Sequence, residues 1–456
     1  MEVARHIQQE EEDVLEQGNR PGAVAKPETN KGFEYSAHAA KVLGALWLIV
    51  ALVVAVPSVG TSVVNARMIE DLNMDRAVFG MGFGIFVMMM GFQGPVVAVL
   101  IRKFGYRATV TFGCLVLLAG SLAMATFVHT GWQYAVAFGF LVGTGVCLAG
   151  MLPAQTVVTN WFHVRRALAV SVVFSAVEVG GFFSPPALEK LIAISDGNWR
   201  MAWWVIAGFA VVAIVVAWTM LNERHVASAI AENPTSLAAR DRGNVFKSTT
   251  HWTLKEAVRT RAYWLILIYM SVAGVAWVFL LAHGAVHLQD IGYSSAEAAN
   301  AVAIIIVASF VGNMTAGLLG DRISPSVIAA VSMALVAVAF CMVVRPEGFV
   351  GILMYALPAG IGYGASQVCV MALLGNYFGK GSFSTILGSM MPVSTLCAAV
   401  GAGSAGAVFD QTGTYGWMFI IVTVLCVIAL LAILAASPPH SHRRREESSV
   451  NAIAAE

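Results

Sequence analysis

Long runs without a single charged residue recur along this chain, among them Val42 to Ala66, Ala77 to Ile101, Ala108 to Phe162, Gly348 to Gly379 and Gly381 to Phe409. A helix needs about 20 apolar residues to cross a bilayer. Runs of this kind therefore read as membrane-spanning segments. Their length favours helices, and the third run is long enough for a helical hairpin. Turns placed at Gly131, near Asn198 and in the polar stretches predict twelve spans, starting near residues 43, 77, 107, 132, 166, 200, 262, 297, 324, 348, 383 and 415. Composition agrees: 58% of residues are hydrophobic and only 12% charged, against about a quarter charged in soluble domains.

Charge placement predicts an orientation. The first 40 residues carry the acidic run Glu10, Glu11, Glu12, Asp13 followed by Gly, Pro and Lys, and residues 1–41 are expected to be a disordered tail. If that tail is cytoplasmic, the connections on its side hold fourteen Lys and Arg, against five (Arg67, Arg76, Lys190, Arg200, Arg345) on the other. The excess of basic residues on cytoplasmic loops therefore places both termini, including the tail from 438 to 456, in the cytoplasm of an inner-membrane protein. A net charge of +1, with basic residues between spans rather than in a patch, offers nothing to nucleic acid. The six cysteines all fall inside apolar runs, which argues against a disulfide framework or a metal site. No cofactor is expected, and a monomer is.

The largest polar segment, 222–260, divides the chain into bundles at 42–221 and 261–437. It ends in Thr253-Leu-Lys-Glu256, a pattern that caps a helix N-terminus reciprocally. The bundles repeat: Asn160-Trp161-Phe162 is echoed by Asn376-Tyr377-Phe378, Gly197-Asn198-Trp199 by Tyr415-Gly416-Trp417, and Asp71-Leu72 by Asp290-Ile291, at offsets of 216, 218 and 219. An all-α membrane protein with two six-helix pseudo-repeats is the expected fold.

After the eighth span comes Gly317-Leu-Leu319-Gly-Asp321-Arg322, and after the second Ala98-Val-Leu100-Ile-Arg102-Lys103-Phe-Gly105-Tyr-Arg107. These resemble the Gly-x-Leu-x-Asp-Arg-x-Gly signature of the major facilitator superfamily, with the acid present in the second copy and replaced by Arg102 in the first. An aspartate there can accept hydrogen bonds from a neighbouring helix N-terminus and latch one conformation. That role falls to Asp321 with Arg322; Arg102, Arg107, Arg165 and Arg166 are the other cytoplasmic gate candidates. The segment Asn160-Trp-Phe162-His-Val-Arg165-Arg166-Ala-Leu168-Ala169 is similar to the entry into helix five of monocarboxylate porters and oxalate:formate antiporters. The resemblance implies a transporter that rocks its halves around a central cavity. It also implies a contrast, because the oxalate:formate branch holds anions with basic residues in helices eight and eleven, whereas 298–320 and 383–409 contain no Lys, Arg or His here.

Ionisable groups at membrane depth mark function. Glu178 lies about twelve residues into span five, roughly 18 Å at 1.5 Å per residue, near mid-membrane. It is the candidate proton-coupling carboxyl, since a cavity alternating between wet and dry makes such a group take up and release a proton. His283 and His287, one turn apart, are expected near an outer vestibule, and Asn65, Arg67, Gln155, Asn313 and Gln367 complete the candidate substrate pathway. The leading expectation is proton-coupled uptake of a small monocarboxylate. The alternative is export of drug-like or neutral metabolites, suggested by aromatic and Met-rich spans such as Met88-Met89-Met90. A non-transporting sensor or membrane enzyme is disfavoured by the lack of any catalytic cluster or His-Glu-x-x-His.

Overall fold

The computed structural model describes residues 37–439 except 75, 163–164, 222–245, 249–251 and 345. Eleven helices are long and apolar enough to cross a membrane, and a shorter apolar helix occupies Val78–Phe92. Gly94–Thr126 is two rods: Gly105 interrupts it with φ 81°, a left-handed value that costs a residue without Cβ nothing. The part before Gly105 continues Arg76–Phe92 as span two, and the part after it is span three. The described chain thus forms twelve spans. Span one, whose helix begins at Ala37 rather than at 42, runs to Asp71. Span four is Gly131–Trp161, five Arg166–Ile194, six Arg200–Met220, seven Arg261–Asp290, eight Ser295–Leu319, nine Pro325–Met342, ten Gly348–Phe378, eleven Phe383–Thr412 and twelve Gly416–Ala435. The helix expected after Thr253 is present, Leu254–Val258, with the reciprocal Thr253–Glu256 cap in place. The acidic tail, the residues past 439 and the middle of the polar segment lie outside the described residues.

With an even number of spans, residues 37 and 435 share one side, called here the terminal face. Direction follows from contacts. Span three runs antiparallel to span four, since Gly113 abuts Leu148 and Ala149, and Gly145 abuts Leu117. Span two runs parallel to span four, with Gly82 and Ile85 at Gly139 and Phe86 and Met89 at Gly143. The second bundle repeats that pair: Gly360 of span ten meets Ile305 and Ala308 of span eight, and Gly364 meets Ser309 and Asn313. Spans one and four contain stretches of wide π-type turn, Ala51–Gly60 and Ala135–Val142, a geometry frequent at functional positions.

The first six spans pack on one another and so do the last six. The halves meet where span five lies along span eight and span two along span eleven. At the second seam Gly94 and Gly388 bring their backbones together: a Cβ on Gly94 would stand 2.6 Å from the Gly388 carbonyl oxygen. Each half has its own aromatic core, Phe79, Tyr134, Phe138, Phe86 and Trp203 in the first and Phe279, Phe340 and Phe419 in the second.

Candidate functional site

Span five begins at Arg166, and its first free backbone N–H groups need acceptors. They find them on the other half. The Asp321 carboxylate, at the end of span eight, accepts from Ala167 N at 3.0 Å and Leu168 N at 3.3 Å, so a negative group meets the positive end of the helix dipole. Arg166 is buried and donates from Nη1 to Asn376 Oδ1 of span ten at 2.9 Å. The Asn376 carbonyl in turn accepts from Ser248 N at 2.7 Å, and Trp252 packs edge-on against Phe378, so the described part of the inter-half segment is tied to the same contact. Lys380, beside this cluster, is held below the ordinary lysine value by burial and by the Arg166 charge. The halves are closed together at the terminal face.

The expected gate residues separate accordingly. Asp321 and Arg166 bridge the halves. Arg107 does not: its guanidinium lies over the Trp218 ring and donates to the Trp218 carbonyl at 2.6 Å, joining span three to span six inside the first half. Arg102, Arg165 and Arg322 are exposed. Arg102 stands where the second copy has its acid, and a cation there cannot accept from the start of span eleven. That end carries a different link, Ser382 donating its hydroxyl to the Trp252 carbonyl.

Further along the same seam lies Glu178. Its Oε1 accepts from Ser309 Oγ at 3.1 Å and its Oε2 from Asn313 Nδ2 at 3.0 Å, while the same Asn313 amide donates to the Ser171 carbonyl at 3.1 Å. The carboxyl of one half is therefore held by two neutral donors of the other. On the side away from the terminal face a cleft of about 140 Å³ opens, lined by Phe182, Phe183, Ile306, Val307 and Phe310, with Glu178 at its polar end. The cross-seam contacts, from Ala167 to Glu178 on span five and from Ser309 to Asp321 on span eight, all lie at or on the terminal-face side of that cleft.

The remaining pathway candidates scatter. Arg67 makes a two-pronged ion pair with Glu189 at 2.6 and 2.9 Å, joining spans one and five at the far face. Neither histidine reaches the seam: His283 bonds the Tyr415 hydroxyl at 3.3 Å, and His287 is buried, bonding the Val343 carbonyl at 3.1 Å and lying edge-on to Phe419. They belong to the interior of the second bundle, because the face shared by positions 283 and 287 is the one that carries Phe279. Gln155 is 1% exposed with neither amide atom paired among the described residues. Gln367 is half-buried on span ten, and the Asn65 side chain lies outside the described residues. Sequence reasoning missed Ser309 and Asn376. The repeat of Asn160-Trp-Phe in Asn376-Tyr-Phe was the available signal for the second; a serine in an apolar run gave none for the first.

Comparison with known proteins bears on this arrangement. The profile described as Major Facilitator Superfamily matches residues 46–402 and, in a second match, 284–456. The chain is 22% identical to Monocarboxylate transporter 2 of Mesocricetus auratus over 76% of this chain and 73% of that protein. It is 22% identical to the uncharacterized transporter YycB of Bacillus subtilis over 89% and 96%. With the uncharacterized transporter ESBP6 of Saccharomyces cerevisiae it shares 27% identity over 64% of this chain, and the match spans only 42% of that relative's length. Among solved structures, the fucose transporter FucP in the outward conformation superposes with a TM-score of 0.66 at 15% identity, covering 87% of this chain and 99% of that one. The proton:xylose symporter XylE superposes with 0.68 at 15% identity, covering 87% and 95%. At such identities the likeness is one of fold.

Proposed function

Since this chain belongs to the Major Facilitator Superfamily, as a multi-pass membrane transporter, we propose that it moves a small organic acid, a monocarboxylate, together with a proton, by alternating access, and that Glu178 carries the proton. The observation that carries this reading is the cross-seam bonding of Glu178 to Ser309 and Asn313. An ionised carboxylate deep in the membrane is expensive without a cation, and its two partners here are neutral. Protonation removes the charge while the carboxyl still bonds Asn313 through its carbonyl oxygen and Ser309 through its new O–H. Opening the seam wets the group and favours release. The proton is thereby coupled to the fit of one half on the other. The absence of Lys, Arg and His from 298–320 and 383–409 favours a monocarboxylate with an apolar body over a dicarboxylate, and the names of the monocarboxylate-transporting relatives point the same way. In the cell the direction is uptake across the inner membrane, with both termini cytoplasmic.

The test is uptake of labelled short-chain, hydroxy and aromatic monocarboxylates into vesicles holding the purified protein. An inward proton gradient is expected to drive saturable uptake, and Glu178→Gln to lower gradient-driven uptake by about 10–100-fold, the scale of losing a proton-transfer group. Wild-type vesicles that move no acid, with Glu178→Gln behaving like wild type on whatever they do move, would overturn the reading. The apolar lining Phe182, Phe183 and Phe310 favours a second reading, export of drug-like or neutral metabolites; resistance lost on deleting the gene, without a growth defect on acids, would select it.

A further inference from the structure

Trp277 of span seven and Tyr363 of span ten stack face to face, ring centroids 3.7 Å apart and planes within 6°. Both are half-buried, and together they line a small cavity inside the second bundle whose other wall includes Met333, Val336 and Phe340 of span nine. Trp277 is two residues from Phe279, the centre of the bundle's aromatic core with Phe340 and Phe419; two residues turn a helix by about 200°, so Trp277 projects from the opposite side. Tyr363 sits beside Gly364, the point at which span ten presses on the backbone of Ser309 and Asn313, the two residues that hold Glu178.

Their polar ends set the pair apart. Most aromatic donors of the second bundle are engaged: Tyr263 with Ser389, Trp264 with the Val258 carbonyl, Tyr269 with Ala329 and Ser332, Tyr293 with Pro346, and Tyr377 with Ala436. Among the described residues, the indole N–H of Trp277 and the phenol O–H of Tyr363 have no hydrogen-bond partner. Two neutral donors on a flat apolar plate, near a carboxyl and in a region without fixed cations, match a molecule with a carboxylate at one end and an apolar body.

We propose that Trp277 and Tyr363 are the specificity-determining pair of this transporter: their N–H and O–H donate to the substrate carboxylate in place of a fixed cation, and their stacked rings support its apolar body. Recognition by neutral donors leaves the charge balance of the site to Glu178 and its proton. This inference rests on the acid-porter reading above, and the experiment separates the two failures. Uptake kinetics are measured in vesicles for wild type, Trp277→Phe and Tyr363→Phe, with an aromatic monocarboxylate and its primary amide as competing probes. The Phe variants keep a ring at each position and remove one donor. Each is expected to raise KM for the acid about tenfold at little changed kcat, while the inhibition constant of the amide moves less than about twofold. Trp277→Ala is expected to erase the preference for aromatic over short-chain acids. Unchanged acid KM in both Phe variants, or equal weakening for acid and amide, overturns the donor pair while leaving the porter intact. Wild-type protein that transports no acid overturns the porter reading, and this inference with it.

Discussion

Asp321 shows what one side chain decides. It accepts two backbone N–H groups at the start of span five from the far side of the seam, and a cap of this kind is worth about 1 kcal/mol. Asp321→Ala is therefore expected to shift the balance about fivefold toward the state open at the terminal face, read as faster labelling of a reporter thiol placed at Ala169. The sequence pointed to Asp321 because its chemistry is local and its motif short. It also pointed to Glu178, because a lone acid in an apolar run is conspicuous whatever surrounds it. It did not reveal that the partners of Glu178 are Ser309 and Asn313, more than a hundred positions away, nor that the histidines face the second bundle's own core. Their face is set by which helix packs there, and one helix's residues do not encode its neighbour's.

At the scale of elements, the ends away from the terminal face are held by polar clasps. Asp71, the last residue of the helix that ends span one, accepts from Trp199 Nε1 at 2.9 Å and from Arg200 Nη1 at 2.9 Å, and Arg200 reaches the Val128 carbonyl at 2.7 Å. One aspartate thus gathers the ends of spans one, three and six. The Trp199 hydrogen bond, and then that of Arg200, hold the Asp71 carboxyl below the ordinary aspartate value. A depressed carboxylate contributes stability that is present above its unfolded value, about 3.9, and is lost as pH falls through the folded one. The melting temperature of Asp71→Asn is expected to fall short of wild type by its full margin at about pH 6, the two converging below about pH 4. Melting curves in detergent across that range check this, and a margin independent of pH would assign the effect to shape rather than charge. The Thr253–Glu256 cap was legible in the sequence because it is made by residues within one turn, and the polar stretch before residue 107 marked where span three begins, though not that the chain breaks at Gly105. The clasp was not legible, although Asp71 and Trp199 each lie in a repeat marker, because it joins three loops.

On the scale of the whole molecule, the two seams are shut on the terminal-face side and a cleft opens on the other side of Glu178, so the closed contacts should be ones that transport must break. Ala167 and Gly320 face each other: a Cβ on Gly320 would stand 2.9 Å from that of Ala167, closer than the roughly 3.5–4.5 Å of a disulfide, so a slight parting of the two helix ends lets the bond form. The pair Ala167→Cys, Gly320→Cys is expected to cross-link on mild oxidation and stop transport, with recovery on reduction and no effect of oxidation in either single variant. Persistent transport by the cross-linked protein would mean that this contact does not move. Twelve spans in two related halves were determined by the sequence alone, because a bilayer enforces helices on any long uncharged run and the repeat is written in matching residues. Which helices form the seams, which polar groups look across them and which side is closed were decided by tertiary structure. Apolar helices in lipid have no hydrophobic preference among neighbours, so the choice falls to close glycine contacts such as Gly94 with Gly388 and to a few hydrogen bonds whose partners lie far apart in the chain.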